Sequence, residues 1–279
     1  MPRLNSTRMI YLPKMSVLLL LVLSALVLSG CFHSDDDPVP VVDADPAGYY
    51  DVSGTASVGD GSGGTLMITD LQGMVNGNRF IAISDANGLV YDGTITDINV
   101  DDFTATVSVF QDGALVTTAS VTGMITTGAK ITGTLTGNGL GSGTFELIYA
   151  LSNNQLADLS RVQLDVIDQW ISRVGGSVDS SLALGFVVET AGDISHIENP
   201  GNGLFNACVI DSGIILPIAG TSLYTIAMTL ANCNNASVDG DYEGLAVTRT
   251  ETATDDRLVL VTSNVNFSLY GEFIISGIF

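Results

Sequence analysis

The residues able to do chemistry in this 279-residue chain are three cysteines, two histidines and thirty carboxylates. Cys31 stands out by its context. Leu28-Ser29-Gly30-Cys31 closes the apolar run Ser16–Leu28, which itself follows Arg3, Arg8 and Lys14. Small residues before a cysteine at the end of such a run form a lipobox, with cleavage before Cys31 and acylation of its thiol. The run is too short to span a bilayer, which takes about 20 apolar residues, so residues 1–30 read as a lipoprotein signal peptide. Several acyl chains on one residue anchor firmly, at about 0.8 kcal/mol per buried CH₂. Phe32, not Asp, follows Cys31, and this favours the outer membrane over inner-membrane retention.

Cys208 and Cys233 are the other two thiols. An even pair in an oxidising compartment reads as a disulfide. It would close a loop of about 25 residues, worth about 3.5 kcal/mol in the chain-entropy model. The alternatives are two buried free thiols or a metal pair. A metal pair lacks nitrogen partners, because His33 falls in the tether and His196 is the only other imidazole.

His196, in Asp193-Ile194-Ser195-His196-Ile197-Glu198-Asn199, is the one candidate base for a hydrolytic triad, and no nucleophile is paired with it in the sequence. It reads as a histidine of an exposed turn. The carboxylates of Asp239-x-Asp241-x-Glu243 would share one face of a strand. Asp97, Asp101, Asp102 and Asp211 add acids in turns, without a complete calcium loop. Asp60-Gly61-Ser62-Gly63-Gly64 lacks the Lys-Ser/Thr and the helix of a phosphate loop. The sequence therefore predicts no catalytic residue, no cofactor and no metal.

Charge narrows the partners. Removal of residues 1–30 takes three of the nine cations and no acid, leaving six against thirty, a formal charge of −24. Arg79, Lys130, Arg161, Arg173, Arg249 and Arg257 are the fixed cations that remain. Such a field repels nucleic acid and anionic headgroups, and it favours solubility.

The elements that would carry these residues are strands. Gly, Thr, Ser, Val and Ile dominate while Lys and Glu are scarce. Residues 31–47 hold three consecutive aspartates and Pro38, Pro40 and Pro46, which predicts a lipidated, extended and disordered tether. Its simplest role is a spacer; an acidic run there also resembles surface-export signals. Residues 48–150 show about eight short apolar-rich runs at regular spacing, with hairpin signals at Asn76-Gly77 and Asp112-Gly113. Leu156, Leu159, Val162, Val166 and Ile167 recur at helical spacing over 151–168 and predict a short amphipathic helix. Residues 169–279 repeat the first unit. Tyr49–Gly54 corresponds to Gln169–Gly175, Leu66–Asp70 to Gly185–Glu189, Thr94–Val109 to Gly213–Leu230, and Thr144–Tyr149 to Asn266–Tyr270. The expected fold is all-β: two tandem antiparallel meander barrel or sandwich units joined by a short helix, after the signal peptide and tether.

Phe145…Tyr149, Leu156-Ala157, Trp170, Cys208…Ser212-Gly213, Tyr224, Asn232-Cys233 and Asp239–Ala246 give the chain its family likeness. In that order they resemble uncharacterised β-rich envelope lipoproteins of Gram-negative bacteria. The resemblance covers most of the mature chain and implies a location and a β architecture, without an activity to transfer. The expectation is an outer-membrane-anchored lipoprotein, periplasmic or surface-exposed, with a non-enzymatic binding or structural role. The alternatives are a lipocalin-like carrier of a small apolar ligand and an envelope hydrolase. The last strand ends on Phe279 like an integral outer-membrane barrel, but Gly277 replaces the usual aromatic and aromatic girdles are missing, so insertion is not expected.

Overall fold

A computed structural model describes residues 42–163, 168–174, 185–198, 207–252 and 255–277. Residues 1–30, expected as a signal peptide, and Cys31 and His33 lie outside the described residues. Sixteen strands follow one another: β1 (Gly48–Gly59), β2 (Thr65–Asn76), β3 (Arg79–Ser84), β4 (Leu89–Asn99), β5 (Asp102–Gln111), β6 (Ala114–Thr126), β7 (Lys130–Gly137), β8 (Gly143–Tyr149), β9 (Asp168–Val174), β10 (Gly185–Val188), β11 (Ile194–Glu198), β12 (Val209–Pro217), β13 (Leu223–Ala231), β14 (Gly240–Thr252), β15 (Asp255–Ser263) and β16 (Ser268–Gly277). Among the described residues there is no α-helix.

Strands β1–β8 form a closed antiparallel barrel, β1 pairing with both β2 and β8. Strands β9–β16 form a second eight-stranded antiparallel sheet, in which β9 pairs with both β10 and β16. Its edges β11 and β12 meet at one bridge, Asp193 to Ile214, where Ile215 N also donates to Gly192 O at 2.8 Å. The segments aligned as an internal repeat fall on strands eight apart in chain order: β1 with β9, β2 with β10, β4 and β5 with β12 and β13, β8 with β16.

Alternation makes these strands. Along β5, Phe103, Ala105, Val107 and Val109 are buried while Thr104 and Thr106 are exposed. The β5–β6 hairpin turns on Asp112 (φ 50°) and Gly113 (φ 85°), the two positive angles of a tight type I′ turn. Gly244 on β14 is fixed by crowding, since a Cβ there would lie 1.7 Å from Val261 O.

Three apolar clusters follow. The barrel interior is filled around Phe80, whose ring lies 6.4 Å from Phe103 and 5.8 Å from Phe145. The second sheet curls around Trp170, Phe186 and Phe273, the last two in an edge contact at 5.0 Å. The third cluster joins the two. Tyr49, Met74, Ile81, Ile83, Val90 and Phe110 face outward from the barrel and pack on Leu223, Leu245, Val247, Val259, Val261 and Tyr270. Burying one outer face of each sheet against the other makes a single body of the two.

The ends of both cores are corked in the same manner. Residues 42–47, expected as the end of a disordered tether, instead lie over one mouth of the barrel. Ala44 packs on its core, and the buried Tyr50 hydroxyl donates to Pro46 O at 2.8 Å. At the opposite mouth the 3₁₀ turn Gly139–Gly141 brings Leu140 onto the core, and Tyr91 OH donates to Leu140 O at 3.0 Å. In the second sheet Trp170 Nε1 donates to Val162 O at 2.8 Å, and Tyr242 OH to Val238 O at 2.8 Å, from the 3₁₀ turn Ala236–Val238. Trp170 is the residue that the repeat aligns with Tyr50.

The joint departs from expectation. Over the described residues 151–163 it holds one 3₁₀ turn, Leu159–Arg161, and no amphipathic helix; residues 164–167 lie outside the described residues. Side-chain hydrogen bonds win over helical periodicity. Asn154 Oδ1 accepts from Tyr49 N at 2.8 Å while its Nδ2 donates to Tyr49 O and Ala150 O at 2.8 Å. Asp158 then caps Ser160 N, and its backbone is held at both N and O by the Tyr224 hydroxyl. Leu156, placed on the apolar face of the expected helix, is 67% exposed.

Candidate functional site

Cys208 and Cys233 are bonded to each other and buried. They stand just outside Val209 and Ala231, the last pair of the β12–β13 ladder, so the bond closes the end of that hairpin. Asp239 belongs to this hairpin end rather than to an acidic strand face: its Oδ1 accepts from Cys233 N at 3.0 Å. Asp241 and Glu243 do share a face of β14 and look into the cleft described below. His196 lies on β11. Asp60 accepts from Ser62 N, Ser62 Oγ and Gly64 N, and these bonds hold its carboxyl below the usual range. Its glycine-rich turn satisfies itself. Asp97 and Asp102 border a shallow groove at the β4–β5 hairpin. Among the described residues no group of three or more His, Cys, Asp or Glu is arranged to hold a metal.

The barrel interior leaves a cavity of about 10 Å³ among Leu71, Phe80, Tyr91, Leu135 and Phe145. That is about the room one water molecule needs, far below the 300–1,000 Å³ of ligand pockets. A cleft of about 1010 Å³ lies outside, between β3–β7 of the barrel and β14, β15 and the β15–β16 turn of the second sheet.

One wall of the cleft is a hydroxyl ladder. Thr94, Thr106, Ser120 and Thr136 stand opposite one another across β4, β5, β6 and β7. The other wall carries Asp241, Glu243 and Ser263. Between them Arg79 clamps Asp92 with two bonds, Nε to Oδ1 at 3.2 Å and Nη2 to Oδ2 at 2.5 Å. The same Nη2 donates to Glu243 O at 2.9 Å, and Ser263 Oγ donates to Asp92 Oδ2, so the pair ties the barrel to the second sheet. A bidentate, largely buried pair of this kind fixes geometry as well as charge. With Arg79 committed to Asp92, Asp241 and Glu243 leave the cleft net negative. Among the described residues Ser263 Oγ is bonded to Asp92 and to Arg79, which are already committed to each other. The cleft can hydrogen-bond and attract cations; its lining offers no activated nucleophile.

A second polar island is sealed within the packed faces. Tyr49 OH donates to Gln72 Oε1 at 2.9 Å and Gln72 Nε2 donates to Tyr270 OH at 3.1 Å. Glu272 is held by Arg249 at 2.8 Å and by Arg257. Burial pushes the Tyr49 hydroxyl up to about 12 and raises that of Tyr270 as well. Burial, then the charges of Glu272 and Asp70, pushes Asp85 up to about 6, and its Oδ1 has no hydrogen-bond partner among the described residues.

Sequence reasoning missed Arg79, Asp92, Gln72 and Glu272. The available signal was an ionisable or amide residue at an otherwise apolar strand position, in a chain so poor in cations that each one had to be placed. No protein-family model, no curated protein and no solved structure matches the chain.

Proposed function

We propose that this is an outer-membrane lipoprotein, anchored through acylated Cys31, whose folded body has a non-enzymatic binding or structural role in the envelope. The observation that carries the reading is that the barrel is filled and corked at both mouths, while a cleft of mixed polar and apolar lining lies outside it. A carrier of apolar ligands needs an open apolar interior, so the lipocalin-like alternative loses its main support. The exposed hydroxyl ladder on β4–β7 also argues against a barrel inserted in lipid, whose outer face is apolar. The cleft's net negative charge, on a chain with a strong excess of acids, favours neutral or cationic partners over nucleic acid.

The test is cell fractionation of wild type and Cys31→Ala, combined with protease added to intact cells. Attachment lost on substitution supports the anchor. Cleavage in intact cells then indicates surface display, and resistance indicates a periplasmic body. Attachment that survives Cys31→Ala overturns the reading.

A further inference from the structure

Where the tether meets the folded body bears on how that body sits. Cys31 and Val42 are separated by ten residues, which reach at most about 40 Å when fully extended. The described chain begins at the barrel mouth formed by the β2–β3, β4–β5 and β6–β7 turns, and it is fastened there. Val100 N donates to Asp43 Oδ1 at 2.9 Å, Ala44 N donates to Val100 O at 2.6 Å, and Asp45 N donates to Thr127 Oγ1 at 3.0 Å.

This mouth carries apolar side chains that the fold does not use. Val42 is 81% exposed, Leu151 81% and Val100 45%. Val42 and Val100 are neighbours through the Asp43 and Ala44 hydrogen bonds. Leu151 follows β8 at the same rim, where Tyr149 N donates to Ala129 O at 2.8 Å. Val100 is the telling residue. It holds φ 61° in the β4–β5 turn, a left-handed position where glycine or asparagine would sit without strain and a β-branched side chain is an outlier. The fold would be better served by glycine there, so the exposed valine points to a use outside the fold.

We propose that this mouth rests against the bilayer, with Val42, Val100 and Leu151 seated at the headgroup level of a zwitterionic lipid surface. The proposal rests on the anchored reading of Cys31. Three side chains bind lipid weakly by themselves, and the tether supplies the effective concentration that makes a weak contact persist. Asp43, Asp45, Asp97, Asp101 and Asp102 lie around the same rim with Lys130. Their net negative charge selects against anionic headgroups. The rival apolar spot is Leu115, Val116 and Val265, where the β5–β6 and β15–β16 hairpins are tied by Leu115 N to Asn266 O at 2.9 Å. It lies at the far end of the barrel strands. The ten residues of β5 span about 33 Å, so one end of the barrel faces lipid and the other faces away.

The experiment places the full-length lipidated protein in phosphatidylcholine vesicles with brominated chains. A bimane label is attached at Leu151→Cys in one preparation and at Val265→Cys in another. Both positions are highly exposed, and with Cys31 acylated and Cys208 bonded to Cys233, the new thiol is the one that reacts. Seating at a depth of about 5–10 Å should cost the Leu151 label about half its fluorescence and leave the Val265 label unchanged. Equal quenching, or stronger quenching at Val265, in protein that co-sediments with the vesicles overturns the proposal alone. Protein that fails to co-sediment and lacks acyl mass on Cys31 overturns the anchored reading and the proposal with it.

Discussion

Asp85→Asn should stabilise this protein at neutral pH and leave it unchanged near pH 4. Asp85 opens the β3–β4 turn beside the packed faces of barrel and sheet. The charged groups around it are Asp70 on β2, Glu272 on β16 and Arg249 on β14, with Arg257 bound to Glu272 and the Tyr270 hydroxyl close by. Its carboxyl is raised from 3.8 to about 6, burial being the largest cause. The folded state therefore binds a proton more tightly than the unfolded state. Stability is fully present below about pH 4 and is lost as pH rises through about 6. Two units at about 1.4 kcal/mol each give a ceiling of about 3 kcal/mol. Because Asp85 is only half-buried, solvent screening reduces this to about 1–2 kcal/mol. An amide carries no charge at any of these pH values and removes the penalty. Denaturant unfolding from pH 4 to 8 is the assay, on protein carrying Cys31→Ala. The variant should exceed the parent by about 1–2 kcal/mol at pH 8, or about 3–6 °C in Tm, and match it at pH 4. A variant that keeps the parent's pH slope, or is less stable at pH 8, refutes the reasoning.

Other expectations follow from the same packing. Replacing Cys208 and Cys233 together by serine should lower stability by about 3.5 kcal/mol in the chain-entropy model, read by the denaturant midpoint. Arg79→Met leaves Asp92 buried without its cation. It should cost about 2–4 kcal/mol, and adding Asp92→Leu should recover most of the loss, read as a double-mutant cycle. Phe145→Ala removes a ring beside the small interior void and should cost about 3–5 kcal/mol by thermal unfolding.

The strands of the barrel were legible because several, β5 among them, alternate and the turns between them have glycine or aspartate chemistry of their own, although β3 and the start of β4 are buried on both faces. Arg79–Ser84 and the Asp112-Gly113 turn can be read directly from sequence. The segments aligned as a repeat fall on strands eight apart in chain order, and the correspondence of Tyr50 with Trp170 gains a physical meaning, since each reaches a carbonyl of the segment that corks its own unit. The joint was not legible. A helical period in Leu156, Leu159 and Val162 is a weak local preference, and the Asn154 amide and Tyr224 hydroxyl override it through contacts 105 and 66 residues away. The ordered end of the tether failed to show for the same reason: Asp43, Ala44 and Asp45 find partners at Val100 and Thr127, which no local pattern reveals. The cleft was half visible. Asp241 and Glu243 could be placed on one face, whereas Asp239 turned to the disulfide and Arg79 acquired its role only when β3 met β14 across the barrel boundary.

The most direct test is intact mass analysis of the N-terminal peptide of the protein purified from membranes. The expected mature chain begins at Cys31 and carries acyl chains on that residue. A mature chain that begins elsewhere, or that begins at Cys31 with a free thiol, would contradict anchoring through Cys31.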